Sequence, residues 1–210
     1  MNADIANILK SYIEPLDFVD RITGLVRPII KTDVVEMYND DNELIGEQVI
    51  KKIFPVSCSV THEECFEGER YMDLVPNSDY RSIIYFEDKG TILTGMQGKR
   101  MQFMSALRLV CWLNLDMFDT TSCTLSAPVM AAIIHAIPTS HFNDGNYQGI
   151  SAKLTSIPPK DASIFGAYTY NEETNQHLLY PYDYFALDLN IDFMIHESCI
   201  NAIVIKDKTC

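Results

Sequence analysis

Phe185-Ala186-Leu187-Asp188-Leu189-Asn190-Ile191-Asp192-Phe193-Met194-Ile195-His196 decides the fold class. Phe185, Leu187, Leu189, Ile191, Phe193 and Ile195 alternate with residues that are mostly polar. Because side chains leave a strand on opposite faces in turn, this predicts a half-buried antiparallel strand. The stretch Met101–Leu115 repeats the pattern, with Phe103, Leu107, Leu109, Cys111 and Leu113 on one parity. Gln102, Arg108 and Asn114 share the other parity with Val110 and Trp112, so one clean core face and one mixed face are expected.

Further strands are expected on both sides of that pair. Ile29–Tyr38 is rich in β-branched residues, Asn39-Asp40-Asp41-Asn42 is a turn cluster, and Glu47–Val60 returns, so the three form a hairpin. Pro55 points to an edge position or a bulge. Ser82–Phe86 is a strand that Asp88-Lys89-Gly90 turns. Ile164–Tyr170 with Gln176–Tyr184 reads as another hairpin, and Ile200–Ile205 as a last strand. Residues 61–80 read as an acidic loop and residues 139–163 as a loop excursion. Two helices are expected. Ile5, Ile8, Leu9, Tyr12 and Ile13 recur at helical spacing before Pro15. The second follows Ser126 and Pro128 and is apolar nearly all round, which predicts burial against the sheet. The expected class is α+β: one domain over residues 1–210, mainly antiparallel sheet, with an N-terminal helix and one buried helix packed on one face.

Composition limits function. The chain has 29 acidic and 16 basic residues, a net charge of −13. A field of that sign repels phosphate backbones, so tight nucleic-acid binding is excluded over most of the surface. Met1-Asn2-Ala3-Asp4-Ile5 lacks the basic-then-apolar order of a secretory leader, and the near-apolar run Ala127–Ile137 is too short for a bilayer. An intracellular setting with reduced cysteines is expected.

No catalytic set and no cofactor fingerprint is legible. Cys58, His62 and Cys65 are soft-metal ligand types at C-x3-H-x2-C spacing, without a fourth ligand or a paired knuckle. They are the candidate metal residues, and incidental thiols at a strand–loop junction are the plainer reading. The stretch ending Gly98-Lys99-Arg100 has Leu93 where a phosphate loop needs glycine and Arg100 where it needs a hydroxyl. It reads as a turn. His135 reads as a core histidine, and His141 as a loop residue able to act. Tyr180, Tyr182 and Tyr184 share one parity and, with Asp188 and Asp192, are the interface candidates. A bulge near Pro181 would instead turn some tyrosines inward.

The order helix, hairpin, strands, apolar helix, strands, in an acidic chain, resembles the tail-terminator and neck-ring (head-to-tail connector) proteins of tailed bacteriophages. Ile5–Ile13, Gln48–Val60 with Pro55, and Phe185–Ile195 carry the resemblance. It implies a virion protein, made in the host cytoplasm, forming a homo-oligomeric ring of six or twelve copies. Its neighbours would be portal, neck or tail proteins, and DNA would pass an acidic lumen without specific binding. Two other classes stay open: a small intracellular hydrolase-like enzyme using His141 or His62, and a protein-binding module using the tyrosine stripe.

Overall fold

A computed structural model of the chain describes residues 1–39, 43–118, 125–160, 162–169 and 179–196. Its centre is the ladder between β4 (Arg100–Asn114) and β7 (Tyr182–His196). The two pair without a break from Arg100↔His196 to Asn114↔Tyr182. Alternation then sorts the side chains. Leu107, Leu109, Cys111 and Leu113 meet Phe185, Leu187, Leu189, Ile191 and Phe193 in one core. Val110 and Trp112 meet Tyr184 and Ala186 in a second core on the opposite face. Around Trp112 the sheet is therefore buried on both faces, with Leu74, Ile164 and Phe165 covering the second.

The other strands are β1 (Arg21–Tyr38), β2 (Leu44–Ser57), β3 (Ser82–Gln97), β5 (Phe142–Asp144) and β6 (Tyr147–Ser156). All seven form one sheet in the order β2-β1-β3-β4-β7-β6-β5. Each neighbouring pair is antiparallel except β1–β3, which is parallel and short, from Arg21↔Ile83 to Leu25↔Phe86.

Helix α1 (Asn2–Ile13) buries Ile5, Ala6, Leu9 and Ile13 on the first core. Its start is fastened to the sheet: the Asn2 side-chain oxygen Oδ1 accepts from the Thr91 and Ser105 hydroxyls, and its Nδ2 donates to Asp88 at 2.8 Å. Tyr147 donates to Asp4 at 2.6 Å, tying the helix to β6 and holding the Asp4 carboxyl below its ordinary range. Short helix α2 (His62–Phe66) opens with a reciprocal cap: the Thr61 hydroxyl accepts from the Glu64 amide, and the Glu64 carboxylate from the Thr61 amide. Helix α3 (Ser126–Ala136) follows the central strands.

The architecture corrects the expected class. The protein is mostly sheet, 52% strand against 20% helix, with a seven-stranded mixed sheet curled into a half-barrel. An α+β chain with a mainly antiparallel sheet and one buried helix is not what forms. Four local readings differ. The excursion at 139–163 contains β5 and β6, and β6 pairs with β7. Asp88-Lys89-Gly90 does not reverse the chain. Gly90, at φ 111°, absorbs a bulge while its amide donates to the Asp88 carboxylate at 2.7 Å, and β3 continues. Helix α3 buries only Val129 and Ile133 along its length, and His135 is exposed rather than in the core. Apolar character all round does not bury a helix that has one layer to pack on. Residues 162–165 form a 3-10 turn, so the hairpin expected there does not begin as a strand. Its second half up to Gln176–Leu178, and Ile200–Ile205, lie outside the described residues.

Candidate functional site

Strand β1 runs 13 residues past its last β3 partner, Leu25. From there to Tyr38, among the described residues, it pairs with β2 alone. Pro28 and Pro55 face each other at the base of this hairpin. An antiparallel ladder accepts that only at a pair whose amides point outward, where neither ring removes a ladder bond.

The base is packed. Phe54 and Val56 enter a third core with Val60, Cys65, Tyr71 and Val75, and the Phe54 and Tyr71 rings meet edge to face at 5.0 Å. Lys31 and Lys52 stand opposite one another, and Asp33 bridges them at 3.5 Å to each. Lys31 also donates to the Tyr71 hydroxyl at 2.7 Å. Thr169 clips the outer edge of β2: its hydroxyl accepts from the Ile53 amide at 2.8 Å, and its amide donates to the Ile53 carbonyl at 3.0 Å.

Beyond this base, covering ends and the arm begins. Val34 and Val49 are opposite each other and each 59% exposed, and Ile45 near the tip is 63% exposed. Val35, Met37 and Leu44 are exposed as well. Glu36 and Glu47 face each other across the ladder, a like-charge pair that an isolated hairpin disfavours. A two-stranded ribbon is at best marginally stable in water. This one also presents large apolar side chains on both faces, a combination that suits contact with another surface.

A second hairpin is also apolar at its end. Strands β3 and β4 turn through Gly98-Lys99, with Gly98 at φ 61° and Lys99 outside the positive-φ region, the φ pattern of a type II′ turn. Ile92 and Leu93 are exposed, and Met96 is 70% exposed.

The residues singled out by sequence scatter. Cys58 and Cys65 line a recess of about 470 Å³ beside Arg27, and burial raises both thiols above their ordinary range. Among the described residues no group of three or more His, Cys, Asp or Glu could hold a metal ion. The His62 side chain lies outside the described set. The tyrosine stripe is not a surface. Tyr184 is buried edge-on to Phe165, Tyr182 stacks on Trp112 at 5.2 Å, and only Tyr180 is exposed. The second core draws them in. Asp188 is held below its ordinary range by the Arg108 guanidinium, at 2.7 and 3.2 Å, with Ser156 donating at 2.8 Å. Asp192 pairs with Lys153 at 3.0 Å. His141 shares a shallow recess of about 230 Å³ with Asp192, and no serine or cysteine among the described residues lines it. A recess of about 290 Å³ holds Lys10, Arg21 and Arg70, where the Asp73 carboxylate takes both guanidiniums.

The sequence reading missed the arm as a site because the run Ile29–Tyr38 looks like any strand. The available signal was length: the run Ile29–Tyr38 lies at the upper end of ordinary strand lengths.

No family model, curated protein or solved structure matches the chain. Among the described residues no helix is long and apolar enough to cross a membrane.

Proposed function

We propose that this chain is a structural assembly protein: a subunit of a ring at the head–tail junction of a tailed bacteriophage, as neck or tail-terminator protein. The observation that supports the reading is the distal arm, Thr32–Tyr38 with Leu44–Lys51, on which Val34, Val35, Met37, Leu44, Ile45 and Val49 are exposed. Such a ribbon gains stability by docking, and repeated docking among copies builds an assembly. The net charge of −13 suits a protein beside which DNA slides without adhering. Neighbouring portal, neck or tail proteins would meet the ring above and below.

The test is native mass by light scattering after size exclusion, with negative-stain imaging of the peak. Rings of six or twelve copies with a central opening are expected. A mass of one copy at the highest attainable concentration overturns the reading.

A further inference from the structure

Two hairpins leave the body of this protein, and they differ in charge. The distal arm, Thr32–Tyr38 with Leu44–Lys51, carries Asp33, Glu36 and Glu47 against one lysine, Lys51. Residues 90–107, the β3–β4 hairpin, contain Lys99 and Arg100 and no acid. Both carry exposed apolar side chains: Val34, Ile45 and Val49 on the arm, Ile92, Leu93 and Met96 on the other. The second hairpin also has an open backbone edge. Strand β1 leaves β3 after Leu25↔Phe86, so among the described residues β3 from Asp88 onward has a strand partner only in β4. Residues Thr91–Gln97 and Thr32–Tyr38 each extend for about 23 Å, so the two match in length.

We infer that the acidic arm of one copy docks along the basic β3–β4 hairpin of a second copy of this chain. The docking places Val34, Ile45 and Val49 against Ile92, Leu93 and Met96, and brings the arm's carboxylates to Lys99 and Arg100. Strand edges left open recruit strands, alternate side chains set the register, and opposite charge selects the partner. The inference rests on the assembly reading above and names its contact. The two patches are different surfaces, so the contact is head-to-tail. Every copy offers one of each, and repetition closes a ring when the rotation permits.

Two variants test it. Val34→Asp with Val49→Asp blocks the arm, and Leu93→Asp with Met96→Asp blocks the hairpin. All four side chains lie outside the cores, so both variants should melt with the wild type. Each alone is expected to run at the 23.9 kDa of one copy. An equimolar mixture is expected to give a species of twice that mass and nothing larger, because one intact arm and one intact hairpin remain. Independently, Glu36→Lys with Glu47→Lys should lose the oligomer, and adding Lys99→Glu with Arg100→Glu should restore it.

If the wild type assembles and the hairpin variant still does, this contact is wrong and the assembly reading stands. If the mixture stays at single-copy mass although the wild type assembles, the contact is not head-to-tail between these patches. If the wild type stays at single-copy mass at every concentration, both fall.

Discussion

Arg108 shows how one residue can belong to two strand pairs. It sits opposite Glu87 on β3 and Asp188 on β7, and its guanidinium takes the Asp188 carboxylate with two hydrogen bonds. Glu87 is satisfied from elsewhere, by the Tyr168 hydroxyl at 3.0 Å and Lys89 at 2.8 Å. Arg108→Ala leaves a half-buried carboxylate with Ser156 alone, and should cost about 1–3 kcal/mol of unfolding free energy at neutral pH. The sign of its pH dependence follows from the depressed Asp188 carboxyl. A group lowered in the folded state contributes fully above its unfolded value, about 4, and loses that contribution as pH falls through the folded one. Urea melts of wild type and variant should therefore differ at pH 7 and converge below about pH 4. A gap that stays constant down to pH 2 would show that Arg108 acts through packing instead. The sequence put Asp188 on the polar parity of its strand, but nothing in a linear chain shows that Arg108 lies opposite it.

The arm joins a packed base to an uncovered end within one element. Phe54, 5% exposed, is held in the third core, whereas Val34 and Val49 have no covering layer among the described residues. Substitution should therefore act differently along the same two strands. Phe54→Ala should cost about 3 kcal/mol or more in urea unfolding. Val34→Asp with Val49→Asp should move the global midpoint by no more than about 0.5 kcal/mol while removing self-association. A large fall in stability from the second pair would mean that the arm folds back onto its own body. The hairpin itself was legible, because Asn39-Asp40-Asp41-Asn42 parts two β-branched runs. That its far half stands uncovered was not, since exposed and buried strands share the same residue types when the exposed one awaits a partner. The excursion at 139–163 failed for the reverse reason. Asn143-Asp144-Gly145-Asn146 dominates it, yet that turn is the tight link between β5 and β6.

At the scale of the whole molecule, charge is uneven although its sum is −13. If an acidic arm meets a basic hairpin, assembly weakens as salt shortens the reach of charge, from about 10 Å at 0.1 M to about 3 Å at 1 M. Light scattering across that range should show the oligomer shifting toward single copies, with the apolar part of the contact slowing the loss. An assembly indifferent to salt would place the contact on apolar area alone. What the sequence determined by itself was periodicity and sum: the alternation of Phe185–Ile195, the helix over Ile5–Ile13 and the overall charge. Each is a property of neighbours along the chain, and physics reads them locally. Tertiary structure alone decided the rest. It set β1 parallel to β3, closed a second core over Trp112 that drew Tyr182 and Tyr184 inward, and left α3 half exposed. Those outcomes depend on which faces find a covering layer, and a layer exists only once distant segments have packed.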